Sequence, residues 1–251
     1  MGRVTGAPTL WRLAPQAAAL LIAAAVAWVA VIAWSPVGDA MAGTMGLALP
    51  AFLVAWTVMM AAMMLPSVAP VASLYARSIS GQRALRLSLF TAGYLLVWAS
   101  AGVVAFALSG LVGRLAEADP EAATAAGVGA YLACGLYQLS PLKNHCLKHC
   151  RSPLSLFLKY SSSQGSLKDL RVGLHHGAYC LGCCWSLMVV LLALGAMSLV
   201  PMVILAAIVL TEKLWSTGES FSRVVGAACL ALAVVTIWVP GLAPGFRLSM
   251  G

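Results

Sequence analysis

Seven runs of predominantly apolar residues, separated by short loops that hold most of the charge, leave this sequence few ways to fold. They cover residues 16–34, 46–65, 87–108, 122–139, 172–197, 199–211 and 224–239. A helix crossing a bilayer needs about 20 such residues. Hydrophobic residues make up 62% of the chain and charged residues 9%, against about 45–50% and about 25% in soluble domains. The chain therefore reads as all-α, a polytopic transmembrane helical bundle forming one integral membrane domain over residues 1–251. The run Gln16–Trp34 is too long for a signal h-region and lacks a small-residue cleavage site, so it reads as the first span. The sixth run is the shortest and is joined to the fifth by a few residues, which suggests a tight helical hairpin. Pro36, Pro66, Pro70, Gly110, Pro141, Pro201 and Pro240 mark expected helix ends.

Loop charges test that count. In order along the chain, the ends and loops carry 2, 0, 3, 1, 6, 0, 2 and 1 Lys or Arg, beginning with Arg3 and Arg12 and ending with Arg247. Alternate segments thus carry thirteen and two. That bias predicts a cytoplasmic N-terminus and places the basic segment 141–171 on the cytoplasmic side. It also accounts for the net charge of +8 without a nucleic-acid partner. The expected location is a bacterial cytoplasmic (inner) membrane, crossed several times. The stretch 161–166 (SSSQGS) reads as a flexible connector.

All four histidines and five of the seven cysteines fall between residues 145 and 184. The first half reads PLKNHCLKHCRSP from Pro141, and the second GLHHGAYCLGCCWSLM from Gly173. Thiolate and imidazole bind soft and borderline metals, and they are costly in lipid without a partner. On a helix, His176, Cys180 and Cys183 stand at i, i+4 and i+7, within about 60° of one another, with Cys184 adjacent. The alternative is that these cysteines are small buried hydrophobes, the reading preferred for the isolated Cys134 and Cys229. His145/His149 and Cys146/Cys150 are likewise i, i+4 pairs. They also fit a basic amphipathic helix lying on anionic lipid, with Lys143, Lys148 and Arg151 on its wet face. No zinc-finger spacing is present.

The second run contains Met59, Met60, Met63 and Met64. Thioethers suit Cu(I), though a methionine stripe is also ordinary packing material. Glu212 and Lys213 close the sixth run, either as interfacial side chains or with the carboxylate accepting protons released as thiols bind metal. Tyr131, Cys134 and Gln138 share a face of the fourth run, as a supporting shell or as interhelical hydrogen bonders.

The blocks GLYQLSPLKNHCLKHCR (135–151), HGAYCLGCCWSLM (176–188), AMMLP (62–66) and Glu212–Lys213 resemble an uncharacterised bacterial family. Its members are described as predicted metal-binding integral membrane proteins, some of them labelled copper chaperones. The likeness extends over roughly residues 50–240. It implies a metal role for Cys146, His149, Cys150, His176, Cys180, Cys183, Cys184, Met63 and Met64; His145 and His175 lie outside its most specific patterns, C-L-x-H-C-R and Y-C-x-G-C-C-W.

Three functions compete. The first is binding, relay or delivery of Cu(I), with zinc as the second candidate metal, through a Cys/His/Met cluster at the cytoplasmic side, within a lipid bilayer and toward a soluble or membrane metalloprotein partner. The second is a membrane thiol-disulfide oxidoreductase using Cys180/Cys183 as a C-x-x-C pair. The third is haem binding through His176. No Ser-His-Asp set, phosphate-cradling loop or paired carboxylates appear, so a binding role is favoured over an enzyme.

Overall fold

A computed structural model describes residues 15–34, 44, 46–78, 81–151, 160, 167–195 and 198–246. The connector 161–166, the charges Arg3, Arg12 and Arg247, Pro36 and the last two residues of the fifth run lie outside the described residues. Among the described residues there are eight α-helices and no strand. They are α1 (Pro15–Trp34), α2 (Leu49–Arg77), α3 (Arg83–Ala118), α4 (Pro120–Leu139), α5 (Pro141–Arg151), α6 (Lys168–Leu194), α7 (Leu199–Leu214) and α8 (Gly218–Trp238). Each of the seven apolar runs lies on its own helix. Five helices (α1, α2, α3, α6 and α8) are long and apolar enough to cross a membrane. Their outward faces suit lipid: Ile22, Val26, Val29 and Ile32 of α1 are all exposed, an arrangement that water would oppose.

Several expected helix ends are overturned. Pro66 and Pro70 lie inside α2, which continues to Arg77, and α3 runs through Gly110. A proline removes one backbone donor, here leaving the Ala62 and Pro66 carbonyls without their intrahelical bonds, yet packing of α2 against its neighbours keeps the helix continuous. Ser67 Oγ donates to the Met64 carbonyl at 2.8 Å, and Ser73 Oγ to that of Ala69 at 2.7 Å. Pro141 and Pro240 do act as boundaries. Asp119 caps α4 by accepting from the Glu121 amide at 2.8 Å, with Pro120 in the first turn.

Helices α3 and α6 run side by side in the same direction, locked at one end by an ion pair. Asp169 receives Arg86 Nε at 3.0 Å, and the Tyr75 hydroxyl of α2 donates to the same carboxylate. Next to this anchor, Gly173 meets the α3 backbone so closely that a Cβ there would lie 2.0 Å from the Phe90 carbonyl oxygen. Gly173→Ala should therefore cost about 1–3 kcal/mol by overpacking, read as a lower thermal midpoint in detergent. Gly129→Ala, with nothing within 4 Å of the added carbon, should leave that midpoint nearly unchanged.

Helix lengths create a step in the bundle. At about 1.5 Å per residue, the 27-residue α6 is roughly 40 Å long. Helices α4 and α7 end beside its middle, where Gln138 of α4 and Glu212 of α7 meet at 2.9 Å. Helix α5 closes the step, tied down where Arg151 donates to the Trp215 carbonyl at 2.5 Å. On the opposite side of α6, an apolar cleft of about 480 Å³ against α2 and α3 is lined by Trp56, Trp98, Trp185 and Met188 among others.

Candidate metal centre

The sulfur-bearing face of α6 points into the step. His176, Cys180, Cys183 and Cys184 are all buried, as a stripe at i, i+4, i+7 and i+8 requires when one helix face packs inward. Helix α5 presents Lys143, Leu147 and Cys150 inward, again i, i+4 and i+7. The two stripes meet: the sulfurs of Cys150 and Cys183 lie 3.6 Å apart. Contact with Cys180 and Cys183, then burial, push the Cys150 thiol well above its ordinary range. All seven cysteines are free thiols.

Cys180 receives two further polar neighbours. The Lys213 ammonium of α7 donates to its sulfur at 2.9 Å and to Ser67 Oγ of α2 at 3.0 Å. The Tyr94 hydroxyl of α3 stands 3.0 Å from the same sulfur. Side chains of α3 and α7 thus converge on one thiol of α6, with Ser67 of α2 holding the ammonium from behind. Cys183 and Cys184 turn their sulfurs toward the Cys180 carbonyl, at 3.1 and 2.8 Å.

Below the thiols lies a buried ion pair. Lys143 Nζ reaches Glu212 Oε2 at 2.7 Å and the Cys183 carbonyl at 2.5 Å, and Gln138 Nε2 donates to Glu212 Oε1 at 2.9 Å. Lys143 is wholly buried, which corrects its expected place on the wet face of α5. Lys148 does face outward, 3.9 Å from Glu219. Glu212 and Lys213, adjacent in sequence, serve different partners: one neutralises Lys143 and the other Cys180.

The remaining sequence candidates divide. Cys146 is half-buried against α6, where a Cβ on Gly182 would meet its sulfur at 3.0 Å, and burial raises its thiol. His176 lies one turn before Cys180, its ring 6.1 Å from those of both Phe90 and Tyr94. Met63 and Met64 are completely buried on α2, one turn before Ser67 and its ammonium. His149 stands apart. Its ring stacks on Tyr179 at 4.6 Å and its Nδ1 donates to the His145 carbonyl at 2.9 Å. His175 faces Tyr160, with Nδ1 and the hydroxyl 3.1 Å apart.

Among the described residues, no three His, Cys, Asp or Glu side chains already surround a common point. The donor chemistry nonetheless suits a soft cation, for thiols from two helices meet in a dry pocket and an ammonium stands ready to offset thiolate charge. Sequence reasoning missed Lys143, Ser67 and Tyr94 as parts of this neighbourhood, and it singled out Lys213 with Glu212 without giving the ammonium a role at the thiols. Lys213 had a signal, a cation closing an apolar run; Tyr94 had none.

Comparison with curated proteins and with solved structures returns no match. Residues 53–236, which contain every one of these side chains, match the family model PpoB2, described as a copper chaperone. The chain belongs to that copper chaperone family.

Proposed function

We propose that this protein binds Cu(I) through Cys150, Cys180 and Cys183 and delivers it to a metalloprotein partner from the cytoplasmic side of a bacterial inner membrane. The observation that carries the reading is the meeting of α5 and α6 thiols at 3.6 Å beside a third thiol held by Lys213. Cu(I) is soft and prefers thiolate to oxygen. Three thiolates, one Cu(I) and one ammonium leave a single negative charge, which a low-dielectric interior tolerates far better than a bare cation or three uncompensated thiolates.

Each neighbour then has a role. Lys213 offsets Cys180 while the site is empty, and its hydrogen bond to Ser67 gives it a second partner when copper takes the sulfur. Cys150 keeps its proton until the metal displaces it. Cys184 and Cys146 flank the triad as exchange partners, and Met63, Met64 and His176 supply neutral donors to the bundle interior. His149, turned toward Tyr179, serves the outer edge of α5, where an incoming ion or partner first arrives. The cytoplasmic assignment draws its support from the thirteen-to-two bias of basic residues.

Lys213 offers a direct test. Lys213→Gln should weaken Cu(I) binding by about 10–100-fold, the usual cost of removing a group that supports a ligand. Anaerobic competition against a chromogenic Cu(I) chelator measures it. Lys213→Arg should recover most of the affinity, since it keeps the charge. Unchanged affinity in the Gln variant would remove Lys213 from the site, and a wild type preferring Zn(II) under the same competition would refute the copper assignment.

A further inference from the structure

A second pair of thiols lies between α4 and α8. Cys134 and Cys229 have their sulfurs 3.5 Å apart, and they are 0% and 6% exposed. The contact is fixed by backbone. Helices α4 and α8 approach so closely that a Cβ on Gly135 would lie 2.6 Å from Leu230 side-chain carbons, and one on Gly226 would lie 3.0 Å from Gln138 Cβ. Cys134 follows Tyr131 by one turn, and the Tyr131 hydroxyl is tied to the Leu242 carbonyl at 2.6 Å. Cys229 stands roughly 16 Å along α8 from Gly218, at about 1.5 Å per residue, which is the middle of a 21-residue helix. The pair is therefore deeper in the bundle than the step closed by α5.

A separate observation points to a ligand there. Ser186 of α6 is fully buried, and its hydroxyl lies against the Cys134 thiol, within reach of a hydrogen bond to the sulfur. A hydroxyl donor bonds a thiolate more strongly than a neutral thiol, so the pair already has a donor for the charge that a bound soft metal would place on sulfur. Ser186 also sits one turn along α6 from Cys183. The sequence Cys183, Ser186, Cys134, Cys229 thus leads from the first thiol group toward the centre of the bundle, past the Lys143–Glu212 pair.

We propose that Cys134 and Cys229 form a second, two-thiolate station for Cu(I), to which the metal passes from the Cys150/Cys180/Cys183 group. Binding breaks two S–H bonds, forms two Cu–S bonds and releases two protons, with no change of oxidation state. A complex of one Cu(I) and two thiolates carries a single negative charge, and the Ser186 hydroxyl is placed to donate to one of its sulfurs. The proposal rests on the copper reading of the first group, but a distinct pair of residues decides it.

The test is anaerobic titration of the full-length protein in lipid nanodiscs with chelator-buffered Cu(I), following bound copper per chain. Wild type should bind two. Cys134→Ser/Cys229→Ser should bind one, with the tighter site retained, and the second equivalent in wild type should be at least tenfold weaker. Cys180→Ser/Cys183→Ser should also bind one. If the double variant at the deep pair fails to fold, Cys229→Ala alone provides the same readout through loss of the second thiolate-to-copper ultraviolet increment. A wild type that binds only one equivalent, or a deep-pair variant that still binds two, overturns the second station. A Cys180/Cys183 variant that still binds two would instead overturn the first site and leave the second to be judged by its own variant.

Discussion

Cys180→Ser together with Cys183→Ser is expected to weaken Cu(I) binding at the α5–α6 site by more than about 100-fold, beyond the loss produced by disturbing a supporting residue. The reason is geometric. Cys180 is the thiol that Tyr94 of α3 and Lys213 of α7 reach, Lys213 being held in turn by Ser67 of α2, and Cys183 is the one whose sulfur lies 3.6 Å from that of Cys150 on α5. Removing both deprives Cys150 of the two thiols of its proposed triad and leaves only the flanking Cys146 and Cys184. Serine preserves the local hydrogen bonds, because a hydroxyl at position 183 can still donate to the Cys180 carbonyl as the thiol does at 3.1 Å. The variant should therefore fold with a nearly unchanged thermal midpoint, and chelator competition isolates the loss of ligands. Affinity within threefold of wild type would mean that the copper sits elsewhere.

Lys143→Met should be the most damaging single change to stability. It strands the Glu212 carboxylate, which is 1% exposed, and breaking one side of a buried pair costs about 3–5 kcal/mol. Loss of the Lys143 link to the Cys183 carbonyl would also free the α5 cap over the thiols. The double variant Lys143→Met/Glu212→Gln removes both charges and should recover most of the midpoint, since replacing a whole buried pair is often neutral. Thermal unfolding in detergent, with the two single variants and the double compared, measures the coupling. Equal damage in the double and single variants would mean that packing, not charge, is what Lys143 supplies.

These two predictions rest on different depths of sequence information. The α1 and α4 boundaries were readable within two residues because the apolar run nearly coincides with each helix, the Asp119 cap and Pro120 adding only the first turn of α4. The α2 boundary was not: proline reads as a terminator, whereas packing against neighbouring helices carries α2 through Pro66 and Pro70. The stripe His176, Cys180, Cys183 and Cys184 follows from helical period, and its burial on a single face is a local property. The meeting of Cys150 with Cys183 depends on where α4 ends and α5 turns, which no local pattern encodes.

Charge was the hardest feature to place. Lys143 shares the inward face of α5 with Cys150 by period, yet a lone lysine is assigned to water by default. Only its partner Glu212, 69 positions away, makes burial tolerable. The same holds for Lys213, whose partners come from α2 and α6. Cys134 and Cys229 each read as isolated small hydrophobes, and their contact depends on the close approach of α4 and α8. His149 lies in the same block, and its ring contact with Tyr179 and its bond to the His145 carbonyl are set by how α5 docks on α6 rather than by any local pattern.

Thiol protection on the intact protein reaches the central claim most directly. The protein in nanodiscs, with and without one equivalent of Cu(I), would be pulsed anaerobically with an alkylating agent under mild denaturant and each cysteine quantified by mass spectrometry. Cys150, Cys180 and Cys183 should be protected together by copper, and their protection should vanish when a strong Cu(I) chelator is added. Equal alkylation of these three thiols with and without copper, while the metal remains bound, would contradict the account.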